Sequence, residues 1–524
     1  MSNQCGERLS SARVGSIVLL LALVHTSALP FDEAHEQREP PAFRSGSTSH
    51  WPRVNARTRL HFDVDASLAG HSFTPSFLGT NLPLYAPTRK LQSDALPLLK
   101  PAGMRLWRWP GGSNGNYWCP TLSGQKWDAC FEDAPIFKRY GAYPTSEASL
   151  HLSAFIALCK RSGCTPIVQI NSGIAIKYGV AACVAYAVPM VQMFLDAGID
   201  LKYLEFGNEM YGTWSPPYGV DGLVYGGGEY GRAFSDFRHR VKARFSGRDL
   251  QFGLVVNTDQ PGFCTQNNIC NWNEHILSHS SAGSEAEWLV VHRYFSDWGE
   301  QAMLDGTILQ SGPQGLDHIV GTLHQWWGSR LGRPPPPVAL TEYSSIFMRS
   351  QACGAAQQYI SFLWQTKFIG DAVARSGSIV AMNHFAAFSR HRACVTWGAG
   401  RKRAPSDSYS IYSVGGGELG AADGTPFPLY YAFLLWNLYG GNTLHSSRTN
   451  GHTTVYVTSW TVRTCGVPSC NDEVLGTRVS GATCLELIHA KQRQRGGRLA
   501  EVDACRQVAR EHPRSCGGGL PDRP

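Results

Sequence analysis

The chain has 524 residues, of which 43% are hydrophobic and 17% charged, which excludes a disordered, highly charged polymer. Length alone allows three domains or one large barrel. A net charge of +7 spread over so long a chain gives no footprint for nucleic acid. Fifteen Cys and fifteen Trp point instead to an oxidising compartment and to stacking on flat apolar faces, sugars included.

Arg8 and Arg13 precede an apolar run from Ile17 to Val24, and Thr26-Ser27-Ala28 follows. A basic flank, a short apolar core and small residues at the end form a secretory signal over residues 1–28, cleaved after Ala28, so the product is expected to be secreted. The run is too short to cross about 30 Å of hydrocarbon. Residues 29–55 are polar and contain proline, and read as a flexible leader. Arg59-Leu-His-Phe-Asp-Val-Asp alternates like an exposed strand, and residues 56–72 are assigned to an accessory β domain.

From residue 73 to 438 short apolar runs alternate with helix-length segments. Strands are expected at 76–80, 103–109, 165–171, 201–207, 250–256, 285–291, 337–342 and 377–384. Helices are expected at 147–162, 181–197, 229–245, 271–281, 314–328 and 353–374, with a further one at Phe427–Leu438. Eight strands with crossover helices make an α/β fold, and the number eight favours a TIM (β/α)8 barrel over an open sheet. Gly179–Leu195 is apolar enough to suggest a membrane span. Pro189 and Gln192 interrupt it, and Lys177 and Asp196 flank it, so it reads as a buried helix and no integral membrane segment is expected after signal removal. Residues 439–524 should complete a small β-sandwich-like domain with the N-terminal strand, beginning with His452–Trp460 and ending in an Arg-rich tail without periodicity.

Removing Cys5 with the signal leaves 14 cysteines. Several lie close together, as do Cys119 and Cys130, Cys159 and Cys164, Cys264 and Cys270, and Cys465 and Cys470. No C-x-x-C spacing or nearby His pair completes a zinc pattern, so disulfides are expected and no metal or other cofactor is. There is no N-x-Ser/Thr sequon.

Catalytic residues of such a barrel sit where strands end at the C-terminal face. Strand two ends in Arg108-Trp109-Pro110-Gly111-Gly112-Ser113-Asn114, strand three in Asn171, and strand four in Gly207-Asn208-Glu209. Strand six ends in His292-Arg293-Tyr294, strand seven in Thr341-Glu342-Tyr343, and strand eight in Asn383-His384. Only strands four and seven end in a carboxylate. Two carboxylates facing each other across a rim are the minimum equipment for glycoside hydrolysis, one as proton donor and one as an ionised nucleophile or base. Arg108 is expected to hold one of them ionised, and Asn208 to bond a substrate hydroxyl. A single strand-end Glu is more often a rim salt bridge; a pair inside polar clusters is harder to explain that way.

The runs MRLWRWPGG, LEFGNEMYGTW, VHRY and ALTEYS, in that order, resemble the clan A retaining glycoside hydrolases, most of all the α-L-arabinofuranosidase family. The resemblance spans about residues 60–460 and implies Glu209 as acid/base and Glu342 as nucleophile. It also implies that Arg108, Asn208 and Tyr294 bind the sugar or orient the nucleophile. Asn114, His292 and Trp298 complete the candidate substrate contacts, and Trp109, Tyr117, Trp118 and Trp214 are candidates for sugar stacking or core packing. The resemblance makes the expected partner a carbohydrate, such as a plant or algal-type polysaccharide or oligosaccharide. Two departures bear on the substrate. The family's Glu after strand one is missing from Phe77-Leu78-Gly79-Thr80-Asn81, and Ser113 replaces the Asn expected after Pro-Gly-Gly. The alternatives are a β-xylosidase, β-glucuronidase or endo-glucanase type of the same clan, or a non-catalytic carbohydrate-binding barrel.

Two other motifs compete. Gly111-Gly112-Ser113-Asn114-Gly115 matches a serine esterase elbow, but Asn116-Tyr117-Trp118-Cys119-Pro120 is a poor helix start. Gly226-Gly227-Gly228-Glu229-Tyr230-Gly231 fits a dinucleotide fingerprint but does not follow a strand, and reads as a rim loop opening a helix.

Overall fold

Parallel strands lined by helices outside and by each other inside lose water on both faces, so they read as almost continuous apolar runs. Trp288–Tyr294 (WLVVHRY) and Val338–Ser344 (VALTEYS) are of this kind, buried along nearly all their length. The computed structural model describes residues 62–64, 70–84, 95–120, 127–129, 150–212, 226–258, 271–295, 308–345, 359–387, 391–394, 404–406, 409–413, 422, 424–445, 447–449, 456–459, 478–479 and 482–483.

Eight of its strands close into a parallel barrel. They are β1 (Gly79–Asn81), β2 (Leu106–Trp109), β3 (Thr165–Ile170), β4 (Tyr203–Phe206), β5 (Gln251–Val255), β6 (Trp288–Tyr294), β7 (Val338–Ser344) and β8 (Ile379–His384). They follow one another around the barrel in chain order, and β8 closes on β1 through Asn383–Gly79 and His384–Thr80. Each expected strand is present, so the TIM barrel is the fold. Three strands begin three residues later than their apolar runs. Pro75–Leu78 forms a 3-10 turn before β1, and Gly103, at φ 70°, ends a helical turn before β2. Ala282–Glu285 is a short helix before β6, which moves that strand on to include His292, Arg293 and Tyr294.

The covering helices include α1 (Leu152–Ser162), α2 (Ser172–Tyr178), α3 (Val180–Asp196), α4 (Gly227–Arg244), α5 (Trp272–His279), α6 (Ile308–Leu331), α7 (Tyr359–Val373) and α8 (Pro428–Tyr439). α2 was not expected, and α6 runs longer than the predicted 314–328. α1 stops at Gly163, and the Cys159–Cys164 disulfide staples the turn that leads into β3. α3 is the apolar segment that suggests a membrane span; it buries Cys183, Ala187, Met190, Val191 and Phe194. Among the described residues no helix is long and apolar enough to cross a membrane. Aromatic rings fill the space between strands and helices. Phe206 of β4 lies 4.9 Å from Phe237 and 5.9 Å from Phe234 of α4, and Trp109 of β2 stacks on Phe155 of α1 at 5.1 Å.

The chain divides into two compact units, Leu20–Val457 and Met1–Leu19 with Thr458–Pro524. In the first, Phe62–Val64 pairs antiparallel with Ser447–Thr449, and His71–Ser72 with Thr443–Leu444. In the second, Arg478–Val479 pairs with Ala482–Thr483. The signal, the leader and most of the expected accessory β domain lie outside the described residues, as do most of the paired-cysteine candidates.

Gly79 sets how closely β1 approaches its neighbours. A Cβ there would meet the Met382 carbonyl oxygen, with Asn383 Nδ2 at 2.6 Å and the Leu106 carbonyl oxygen at 2.9 Å. Two of these atoms are backbone of adjacent strands and cannot swing away. Gly79→Ala is therefore expected to lose about 1–3 kcal/mol of stability in urea denaturation; an unchanged midpoint would contradict this close approach.

Candidate active site

Arg108 in β2 organises the C-terminal end of the barrel. Its side chain is 0% exposed, and a buried guanidinium must find partners for its N–H groups within the protein. Nε donates to Glu205 Oε2 at 2.8 Å and Nη2 to Glu205 Oε1 at 2.5 Å, a two-pronged ion pair. Nη1 donates to Asn81 Oδ1 at 2.9 Å and to Glu342 Oε2 at 3.0 Å. Nη2 also reaches Asn208 Oδ1 at 2.8 Å and Gln169 Oε1 at 3.5 Å. Arg108 thus holds two carboxylates, where the sequence reading expected one.

The β6–β7 ladder explains how His292 comes to face Glu342. Val291 pairs with Leu340, but His292 pairs with Glu342, so Thr341 is an extra residue on β7. The bulge turns Thr341 to a useful purpose. Its carbonyl accepts from Asn81 Nδ2 at 2.9 Å, and its hydroxyl lies 3.1 Å from His292 Nε2. His292 Nδ1 lies 3.1 Å from Glu209 Oε1 and 3.7 Å from Glu342 Oε2. Two residues on, Tyr294 donates its hydroxyl to Glu342 Oε1 at 2.5 Å.

Glu209 is presented by a tight turn after β4. Gly207 has φ 92°, and a Cβ there would run into the Ser172 hydroxyl and Met210 Cγ. Glu209 itself has φ 46°, in the left-handed region that a non-glycine residue occupies at a cost of about 1–3 kcal/mol. The turn is held by Asn116, whose Oδ1 accepts from the Asn208 backbone N–H at 3.1 Å. Asn116 Nδ2 donates to the Asn208 carbonyl at 2.7 Å. Asn116 ends a 3-10 turn, Ser113–Asn116, so the segment that mimics an esterase elbow instead braces the β4 turn. The glycine-rich run before α4 caps that helix, with Glu229 accepting from the Gly226 N–H at 2.9 Å where a dinucleotide phosphate would need to bind.

The charges are unevenly placed. Burial opposes ionisation of Glu205, but the Arg108 charge and the hydrogen bonds from His292 and Arg108 hold it below the usual carboxylate range. Burial pushes Glu342 up, and the Glu209 charge adds to this, against the pull of His292, Arg108 and Tyr294. Burial alone would lower His292, yet the Glu342 charge and hydrogen bonds to Glu205 and Glu209 raise it to about 9. The carboxylates around it thus favour the protonated imidazole. Burial and the Glu342 charge push the Tyr294 hydroxyl well up, so it remains a donor.

One atom each of Glu209, His292 and Glu342 lie within 4.8 Å of one another. That spacing would also suit a divalent ion, but the donor set does not. Arg108 and Tyr294 already donate to both Glu342 oxygens, and the raised pKa of His292 favours a proton on its ring over a bound metal. The three form a hydrogen-bonded ion cluster.

Of the residues expected from sequence, Arg108, Asn208, Glu209, His292, Tyr294 and Glu342 come together. The side chain of Asn114 is outside the described residues, as are Trp214 and Trp298. Trp109 is fully buried against Phe155 and serves as core. Sequence reasoning missed Glu205, Gln169, Asn116 and Asn81. Glu205 had a signal: a carboxylate between Leu204 and Phe206 in a strand buried on both faces needs a buried cation.

Glu205→Gln keeps the shape and removes the charge that balances Arg108. Breaking one side of a buried ion pair costs about 3–5 kcal/mol, so the urea midpoint should fall accordingly. A midpoint unchanged from the parent would show that Arg108 does not depend on Glu205.

No family model and no curated protein matches the sequence. Among solved structures, the chain is similar to a family 51 α-L-arabinofuranosidase from Bifidobacterium longum, at 14% identity and a TM-score of 0.51, over 75% of this chain and 79% of that one. It is also similar to an α-L-arabinofuranosidase from Thermotoga maritima (15%, TM-score 0.48, 75% and 76% covered). A family 44 xyloglucanase from Paenibacillus polymyxa matches at 14% with a TM-score of 0.44, over 76% and 84%. These three structures are glycoside hydrolases, and the likeness to the Bifidobacterium enzyme is one of fold.

Proposed function

We propose that the chain is a secreted retaining glycoside hydrolase, α-L-arabinofuranosidase-like, in which Glu342 is the nucleophile and Glu209 the acid/base. The observation that carries this reading is the pair itself. Carboxylate oxygens of Glu209 and Glu342 lie within 4.8 Å at the C-terminal end of the barrel, nearer the roughly 5–5.5 Å separation of retaining enzymes than the roughly 6.5–9.5 Å of inverting ones. Their surroundings differ as their tasks require. Glu342 receives hydrogen bonds from Arg108 and Tyr294, which fix its oxygens in place, while the Glu209 side chain is 17% exposed and open to a departing group.

In this mechanism Glu342 attacks the anomeric carbon while Glu209 gives its proton to the leaving oxygen. The glycosyl-enzyme is then hydrolysed by a water that Glu209 deprotonates. Two carboxylates so close share one negative charge more readily than they carry two, and the reaction requires the proton on Glu209 and the charge on Glu342, whose oxygens accept from Arg108 and Tyr294.

Asn81 supports a second reading of the sugar. It ends the Phe77–Asn81 stretch, where the arabinofuranosidase pattern's carboxylate is missing; its oxygen accepts from Arg108 and its amide nitrogen donates to the carbonyls of Thr341 and Asn383. A neutral, fully buried amide so engaged cannot grip a furanose hydroxyl as a carboxylate would, which favours a different clan A glycoside, with plant or algal-type polysaccharides and oligosaccharides as the substrate class. A panel of aryl arabinofuranoside, xyloside, glucoside and glucuronide, assayed beside wall polysaccharides, decides between these sugars.

On the best substrate of that panel, Glu342→Ala should reduce turnover to background. Glu209→Ala should lower kcat/KM by roughly 10²–10⁴ on substrates with poor leaving groups and far less on activated aryl glycosides. Near-normal turnover of the first variant, or equal losses on both substrate kinds for the second, would remove these roles.

A further inference from the structure

The turn that carries Glu209 is pinned by a residue that no sugar can reach, since Asn116 is 0% exposed. β4 ends at Phe206, and the Gly207 N–H still finds a sheet partner in the Ile170 carbonyl at 2.8 Å. Asn208 comes next, beyond the end of β3. Its N–H donates to Asn116 Oδ1 at 3.1 Å, and its carbonyl accepts from Asn116 Nδ2 at 2.7 Å. A primary amide carries a donor and an acceptor side by side, so one side chain gives Asn208 the two bonds that a neighbouring strand would give. Arg108 Nη2 holds the Asn208 side chain at Oδ1, 2.8 Å away. With both backbone groups and the side chain of Asn208 held, the chain enters Glu209 at one angle, and Glu209 stays at φ 46°. Asn116 is itself tied to the barrel wall. Gln169 Nε2 donates to Asn116 Oδ1 at 3.2 Å, and Asn171 Nδ2 donates to the Asn116 carbonyl at 2.8 Å. Gln169 and Asn171 lie two residues apart at the end of β3 and so point the same way.

Resting on the glycosidase reading above, we propose that Asn116 is a positioning residue for proton transfer, which keeps Glu209 in the left-handed conformation from which its carboxyl reaches the leaving oxygen. Left-handed backbone is costly for a residue other than glycine, so without its brace the turn relaxes towards an ordinary conformation and carries the carboxyl away. The bond from the anomeric carbon to the leaving oxygen then breaks without a proton arriving on that oxygen. Attack by Glu342 is a separate matter, because Arg108 and Tyr294 hold that carboxylate. Loss of Asn116 therefore acts on the departure of the leaving group and much less on the formation of the bond to Glu342.

The test is the dependence of kcat/KM on the leaving group. Asn116→Ala should lower it about 10²-fold on substrates with poor leaving groups, the cost of misplacing a catalytic group by about 1 Å. On activated aryl glycosides, whose leaving group departs without a proton, the loss should be far smaller. In the Glu209→Ala background the same substitution should cost nothing further, since the group it positions is gone. Equal losses on both kinds of substrate, or an undiminished loss in the Glu209→Ala background, would overturn the proposal, because a merely structural Asn116 lowers all of these rates alike. Asn116→Asp has the same shape and keeps the acceptor for the Asn208 N–H, but sets an oxygen against the Asn208 carbonyl; it should show the same selective loss. Thermal melts identify a variant that fails to fold, and the other then decides. If neither folds, hydrogen exchange in the parent decides: the Asn208 N–H should be among the slowest amides, and exchange at the rate of a surface loop overturns the brace. Activity surviving Glu342→Ala would instead remove the glycosidase reading, so the two failures are distinguishable.

Discussion

The buried guanidinium of Arg108 is the constraint from which the rest of the site follows. A charged group with no exposure must satisfy its donors inside the protein, and Arg108 does so with side chains from β1, β3, β4, β7 and the turn after β4. Its planar fork allows this, since one face grips Glu205 with two parallel bonds and leaves the remaining N–H groups for Asn81, Asn208 and Glu342. A lysine would supply a single point charge and could not bridge Glu205 and Glu342 in the same way. The ion pair with Glu205 need not make the barrel more stable than an apolar core would. It anchors Arg108 and thereby fixes where Glu342 stands.

Two irregularities of the backbone do the rest. The extra residue at Thr341 brings Glu342 level with His292, and Asn81 locks that bulge by donating to its carbonyl. The left-handed turn at Gly207-Asn208-Glu209 aims the second carboxylate at the first, and Asn116 braces it through both backbone groups of Asn208. Regular strands would have placed these side chains on opposite faces or out of reach. The strain at Glu209 is offset by the packed barrel around it.

Much of this was legible in the sequence because period and order are local properties. Eight apolar runs alternating with helical segments specify the barrel, and polar residues at their ends mark the rim, which is how Glu209, Glu342, His292 and Tyr294 were found. What was not legible depends on distant pairing. Glu205 looks like part of an apolar strand until Arg108, 97 residues away in sequence, is placed beside it. Asn116 looks like part of an elbow motif, and only its position against Asn208 shows its use. The starts of β1, β2 and β6 were misjudged because short helical turns precede them, and apolar composition alone does not separate a turn of helix from the start of a strand.

The central claim is that Glu342, held by Arg108 and Tyr294, bonds covalently to the sugar. The most direct measurement is intact-protein mass spectrometry after incubation with a 2-fluoro glycoside of the preferred sugar bearing a good leaving group, followed by peptide mapping. The account predicts a gain of one glycosyl group, carried by the peptide that contains Glu342 and absent in Glu342→Gln. A label on another residue, or active enzyme that never acquires one, would contradict it.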